Sequence, residues 1–257
     1  GGSNSIGIEE GVALATGDLR TAEGPNQQTD SSSISSGLGD LDLDSYFAVE
    51  TLDSTSLEFS INVATDSTVS IPFVFASEEY NEFVNSGFND AFAIFVDGVN
   101  TAFVTGTNVP VSVDSVNAGN PFGSGGSNEQ FYNNNAVEDN GTFVNQFGFD
   151  GFTSIFTASP FLTAGEHTVK IAISDVADTL RDSAVFLRPI NTQAERLNEG
   201  LPGLVFNSVG DSNRKRDQGQ IVIHSNQITH SMERGIHVDA GARDAAELPH
   251  AGPARLT

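Results

Sequence analysis

The residues of this chain that could do chemistry are its carboxylates. Ser77-Glu78-Glu79-Tyr80-Asn81-Glu82 follows an apolar run ending at Phe75, and Asn89-Asp90 directly precedes another run starting at Ala91. Asp175, Asp178 and Asp182 lie between a run that ends at Ile173 and one that starts at Ser183. Oxygen ligands from several loops, with no His among them, suit a hard cation. The flexible shell of Ca²⁺, about six to eight oxygens, fits irregular loops better than the octahedron of Mg²⁺. A fold that joined these strand ends would set Glu78, Glu79, Asp90, Asp175, Asp178 and Asp182 around one volume. Charges ~4 to 6 Å apart there call for a cation; the alternative is a set of solvated acidic loops.

A second candidate cation site is Asp40, Asp42 and Asp44. They alternate with Leu41 and Leu43, so an extended strand would set their carboxylates on one face ~6.6 Å apart. An EF-hand loop also opens with acids at alternate positions but needs Gly sixth and Glu twelfth, where this chain has Ser45 and Thr51. A solvated acidic edge that discourages sheet-to-sheet pairing explains the same triplet.

The elements that must position these groups repeat with a period of two. Leu57, Phe59, Ile61 and Val63 alternate with polar residues, as do Val69, Ile71, Phe73 and Phe75 after Thr65-Asp66-Ser67, which predicts an antiparallel hairpin. Further strands are expected at Ala91 to Val96, closed by Asp97-Gly98, at Val109 to Val113, through Val169, Ile171 and Ile173, and at Ser183 to Leu187. Long Gly, Ser and Asn stretches separate them, notably 117 to 128. The fold class this predicts is all-β, a jelly-roll-like antiparallel β-sandwich.

Composition narrows the function. The 257 residues carry 11 Lys+Arg against 34 Asp+Glu, a formal charge of −23, and no Cys. That charge repels phosphate backbones, so no nucleic-acid partner is expected. The missing Cys excludes thiolate zinc sites, disulfides and thiol catalysis. No apolar run reaches the ~18 residues of a membrane span, so no membrane insertion is expected. The chain opens Gly1-Gly2-Ser3 without Met, which places any signal segment outside it. Residues 1 to 190 hold 26 acids against the four bases Arg20, Lys170, Arg181 and Arg188, whereas 191 to 257 hold 8 acids and 7 bases. Two units therefore meet across a polar linker at 191 to 202.

Within the first unit, Phe75-Ala76-Ser77-Glu78-Glu79-Tyr80-Asn81-Glu82-Phe83-Val84, then Gly87-Phe88-Asn89-Asp90-Ala91-Phe92, then Gly106-Thr107-Asn108-Val109-Pro110-Val111-Ser112 resemble the choice-of-anchor L domain of bacterial surface and secreted proteins. Ile8-Glu9-Glu10-Gly11-Val12-Ala13-Leu14-Ala15-Thr16-Gly17 looks like its opening, and Phe149-Asp150-Gly151-Phe152-Thr153 like its middle. Ile173-Ser174-Asp175-Val176-Ala177-Asp178 with Asp182-Ser183-Ala184-Val185-Phe186-Leu187 looks like its closing hairpin. The resemblance covers about residues 5 to 190 and implies extracellular or cell-surface display, with the signal and the anchor outside this chain. Leu248-Pro249-His250-Ala251-Gly252 lacks the Thr of a sortase motif.

In the second unit, Gly203-Leu204-Val205-Phe206-Asn207, Gly219 to Ile228, and Gly235-Ile236-His237-Val238-Asp239 resemble rungs of a right-handed parallel β-helix, so 203 to 257 reads as an incomplete β-helix segment. A disordered tail is the alternative. Asn140-Gly141-Thr142 reads as a turn, and Arg214-Lys215-Arg216 as a solvated turn between rungs. His224, His230 and His237 do not converge by spacing alone, while Phe122 and Tyr132 could serve as core or as a sugar platform.

The function these readings favour is a non-enzymatic, Ca²⁺-stabilised binding or structural module of an adhesin-like protein, taking a carbohydrate or peptide ligand at the acidic loop rim near Glu78 and Asp182. The runner-up is a polysaccharide-processing enzyme, a glycoside hydrolase or lyase, or its carbohydrate-binding accessory domain. No nucleophile elbow, Ser/His/Asp order or phosphate loop is present. If residues 1 to 190 fold alone, limited proteolysis will trim the chain to near residue 195. A second unit as resistant as the first would contradict that division.

Overall fold

The structure, a computed structural model, describes residues 5–8, 10–28 and 37–188, with short strands at 191–192, 227–229 and 237–238. In chain order the strands are β1 (Val12–Ala15), β2 (Thr51–Val63), β3 (Ser67–Ser77), β4 (Ala91–Val96), β5 (Val99–Asn100), β6 (Tyr132–Asn134), β7 (Gly151–Thr153), β8 (Phe156–Ala158), β9 (Phe161–Leu162), β10 (Gly165–Val176), β11 (Ser183–Leu187), β12 (Asn191–Thr192), β13 (Gln227–Thr229) and β14 (His237–Val238). One α-helix, α1 (Leu41–Phe47), precedes β2. All pairings between these strands are antiparallel.

The strands form two sheets. One runs β14-β1-β11-β3-β7-β6, with β8, β9 and β12 also paired to β3; the other runs β13-β2-β10-β4-β5. Alternation explains how they face each other. β3 sends Val69, Ile71, Phe73 and Phe75 into the main core, β4 sends Phe92, Ile94 and Val96, and β10 sends Val169, Ile171 and Ile173. The opposite face of β3, Val74 and Ala76, packs with Phe147, Phe149 and Phe152 in a second core beneath the long loops. The opposite face of the smaller sheet, Ala91, Ala93, Phe95 and Ala172, is covered by Leu43 of α1. Each fully buried Phe or Ile contributes roughly 1.5–3 kcal/mol of transfer free energy.

The all-β sandwich is as expected, but several connections differ. β2 and β3 do not form a hairpin: β2 pairs with β10, and β3 with β11. The turn between them crosses from one sheet to the other, because their apolar faces meet across the core instead of edge to edge. Asp66 in this turn accepts a hydrogen bond from the Ala164 amide at 2.8 Å. β10 and β11 likewise lie in different sheets, so the expected closing hairpin is a second crossover. The strand expected at Val109 to Val113 is a single bridge between Phe103 and Pro110. Pro110 has no N–H to give a ladder, although Val111 and Val113 still enter the main core. Asn191 and Thr192, expected in the linker, pair with β3. The expected rungs of 203 to 257 lie outside the described residues, apart from β13 and β14, which pair antiparallel with β2 and β1.

Asp40, Asp42 and Asp44 lie on a helix, not on a strand. Asp40 is the N-cap of α1 and accepts from the amides of Asp42 and Leu43 at 3.0 and 3.2 Å, while Asp42 and Asp44 occupy the first turn, where negative charge opposes the helix dipole favourably. Asp44 accepts from the Thr51 amide and hydroxyl at 2.8 and 2.7 Å. Lys170 of β10 donates to Asp40 and Asp42 at 2.7 and 2.5 Å and so bolts α1 to the sheet. The triplet is thus engaged in capping and ion pairing. Lys170→Ala leaves the buried Asp40 without its cation and is expected to cost about 1–3 kcal/mol in urea unfolding, with Lys170→Arg recovering part of it. An unchanged midpoint for Lys170→Ala would contradict this role.

Candidate functional site

Alternation continues past the ends of the strands and decides where the acids go. Asp90 precedes β4 in phase with Phe92 and Ile94, Asp175 follows Ile173 in phase on β10, and Glu79 lies in the bend just past the end of β3. Opposite Asp175, β2 carries one extra residue between Leu52 and Thr55, and Asp53 adopts φ 47° there. The same end of the sandwich holds Asp182, at the start of β11. Glu79, Asp90, Asp175 and Asp182 are each 1 % exposed. Asp178 is half-buried and accepts from the Leu180 amide at 2.8 Å. The apolar core therefore ends in a floor of carboxylates.

Hydrogen bonds satisfy only part of that floor. Asp90 accepts from the Ser183 hydroxyl at 2.5 Å and the Val176 amide at 3.1 Å, tying β4 to β11 and β10. Asp175 has neither oxygen in a full hydrogen bond, and the Thr16 hydroxyl is the donor that bears on its charge. Glu79 has both carboxylate oxygens buried and no donor on either, although its amide is held by the Ser77 hydroxyl at 2.9 Å. Burial pushes Glu79 up to about 9, helped by Asp90 and Asp178 and opposed by Arg181. Burial likewise raises Asp90 to about 7 against its Ser183 and Val176 hydrogen bonds, and Asp178 and Asp182 add to the rise. Asp175 is raised by burial and then by Asp90, with Asp182 and Asp53 contributing. Arg181 packs its guanidinium 4.0 Å from the centre of the Phe83 ring, beside this group.

Five of the six expected residues thus share one electrostatic neighbourhood: Glu79, Asp90, Asp175, Asp178 and Asp182. Glu78 is separated from them. Its amide donates to the Asp182 carbonyl at 3.1 Å, while its carboxyl is hydrogen-bonded with Asp150. Among the described residues, no three His, Asp or Glu side chains are drawn together tightly enough to hold an ion as they stand. Sequence reasoning missed Asp53, Asp150, Arg181 and Ser183. Asp150 was detectable, since it lies two residues before Phe152 in the phase that fills the second core. Asp53 was not, because a bulge leaves no mark in the hydrophobic pattern. Tyr132, a possible sugar platform, is half-buried with its hydroxyl donating to Asn81 at 2.5 Å, while Phe122 is exposed.

Two antiparallel sheets closed at one end by buried acids define an all-β sandwich domain built from loops and strand ends. The Choice-of-anchor L domain matches residues 1–190, and the chain belongs to that family. Membership makes it a bacterial cell-surface or secreted protein. No curated protein and no solved structure matches it. No helix among the described residues is long and apolar enough to cross a membrane.

The raised carboxyls fix the sign of a pH dependence. Each holds in the folded state a proton that the unfolded chain has already released, so its contribution is full below the unfolded value and is lost as pH rises to the folded one. The window runs from 4.5 to about 9 for Glu79 and from 3.8 to about 7 for Asp90. In chelator-treated protein the melting temperature is expected to fall as pH rises through these windows. A melting temperature that climbs from acid to mildly alkaline pH would contradict the burial of these groups.

Proposed function

We propose that this chain is a non-enzymatic, calcium-stabilised module of a bacterial surface or secreted protein, with Glu79, Asp90, Asp175, Asp178 and Asp182 supplying the oxygen ligands. The observation that carries this reading is Glu79, whose two buried oxygens have no donor, set among four further acids at the meeting of four strand ends. Protonation neutralises such a floor only where the solution is acidic enough. A divalent ion neutralises it at any pH and ties β3, β4, β10 and β11 into one rigid rim. The donor set is all oxygen, which suits Ca²⁺. Glu79 and Asp178 lie in turns, where small changes of rotamer draw the ligands together.

A rigid rim suits an adhesin-like role, because loops held in one arrangement present a fixed surface to a peptide or carbohydrate ligand. A polysaccharide chain has no access to carboxylates that are 1 % exposed, which weighs against paired-acid hydrolysis at these residues. Ca²⁺ is expected to raise the melting temperature, by a stabilisation of about 2.7 kcal/mol at ~100 times its Kd, and EDTA to reverse the shift. Asp90→Ala should abolish the effect, whereas Asp66→Ala should lower stability slightly and keep it. If EDTA leaves the melting temperature unchanged at constant ionic strength, the reading fails.

A further inference from the structure

We propose that the outer face of the five-stranded sheet, beside α1, carries a binding cleft for a neutral oligosaccharide. The site lies apart from the buried acids and does not depend on the calcium reading. Alternation builds its floor. Phe95 of β4, Lys170 of β10 and Glu58 of β2 stand abreast in register, so their side chains share the face turned away from the main core. α1 covers only part of that face, where Leu43 packs over Ala91, Ala93 and Ala172. Beyond it lies a cleft of about 360 Å³, with Phe95, Thr168, Lys170 and Glu58 as its floor and Asp42 and Tyr46 of the helix as its wall. Gly98 also lines it, so it sits toward the end of β4 farthest from Asp90.

The lining combines an aromatic surface with fixed polar groups. Phe95 is almost wholly buried, whereas Tyr46 is 41 % exposed at the rim. The Tyr46 ring is held in place by edge-to-face contacts with Phe47 and Phe95, at centroid distances of 5.0 and 5.9 Å. Lys170 is equally fixed. Burial opposes its charge, but hydrogen bonds to Asp40 and Asp42 prevail and raise the ammonium above the usual lysine range. The side chain of Asp42 is 62 % exposed, and Glu58 is exposed across the floor, so both present acceptor oxygens to a ligand.

Charge then selects the class of ligand. Asp40, Asp42 and Glu58 set three carboxylates around the single ammonium of Lys170, so an anion is repelled. A cation entering the floor meets Lys170 and is repelled in turn. The ligand that fits is neutral, with an apolar face for Tyr46 and hydroxyls around its rim. A pyranose has that form: its C–H groups make an apolar face, while its hydroxyls donate to carboxylates and accept from an ammonium. A cleft of this volume, with an aromatic surface and a few convergent polar groups, is of the kind that binds small ligands.

Calorimetry on the full chain tests this with cellohexaose, laminarihexaose, maltohexaose, xylohexaose and mannohexaose, and with hexamers of galacturonate and glucosamine as charged controls. At least one neutral hexasaccharide should bind, and neither charged one should. Tyr46→Ala should weaken that binding about tenfold and Glu58→Gln severalfold, whereas Tyr46→Phe should retain it. The melting temperature of Glu58→Gln, at an exposed position, should match the wild type, which separates a lost contact from a lost fold. EDTA should leave the affinity unchanged. If no neutral hexasaccharide binds, or a charged one binds in preference, the proposal is wrong. Binding that survives both Tyr46→Ala and Glu58→Gln, or that vanishes with EDTA while the chain stays folded, would put the sugar elsewhere and overturn it as well. Should Tyr46→Ala disturb α1, Glu58→Gln decides.

Discussion

Carboxylate desolvation at one end of the sandwich constrains everything around it. The alternation that fills the core with Phe92 and Ile173 runs on into Asp90 and Asp175, and the bend after β3 buries Glu79 beside them. These acids are buried, so each must be neutralised, hydrogen-bonded or held protonated. The protein uses all three means in part. Ser183 and the Val176 amide serve Asp90, Arg181 lowers the cost of Glu79, and burial raises the carboxyls that remain.

The loops around this end are shaped by the same requirement. Asn26, Asn117 and Asn135 are buried amides that tie loop backbones together where hydrophobic contact is sparse. Asn117 alone donates to the carbonyls of Val113 and Asp114 and accepts from the Gly119 amide. At Gly24, Gly141 and Gly148 a Cβ would lie within 2.5 Å of a neighbouring backbone atom, which lets the long 118–150 segment lie flat on the second core. At the opposite end the chain needs no such measures. There the Asp97-Gly98 turn closes β4 onto β5, with Asp97 and Gly98 at φ 50° and 79°, and the exposed Asp97 pairs with His167.

Much of this was legible in the chain, for a physical reason. Alternation reports which face of a strand is buried, so β3, β4, β10 and β11 could be read directly, and the strand-end acids with them. Alternation does not report which edge a strand pairs with. β2 and β3 therefore read as a hairpin although they face each other across the core, and β10 and β11 misled in the same way. Asp40-Leu41-Asp42-Leu43-Asp44 has the period of a strand, yet an Asp that caps two amides and a Lys170 distant in sequence make it a helix. Local pattern could not see that cation. Family membership over 1–190 agrees with the motifs, which cluster at the turns that carry the acids.

The central claim is that protons and a divalent ion compete for the buried carboxylates. Its most direct test is to count protons released when Ca²⁺ is titrated into chelator-treated protein at neutral pH, by calorimetry in buffers of different ionisation enthalpy. Carboxyls raised as far as Glu79 and Asp90 must lose their protons to become ligands, so binding should release about one proton or more per ion. Binding that releases none, or no binding at all, would contradict the account.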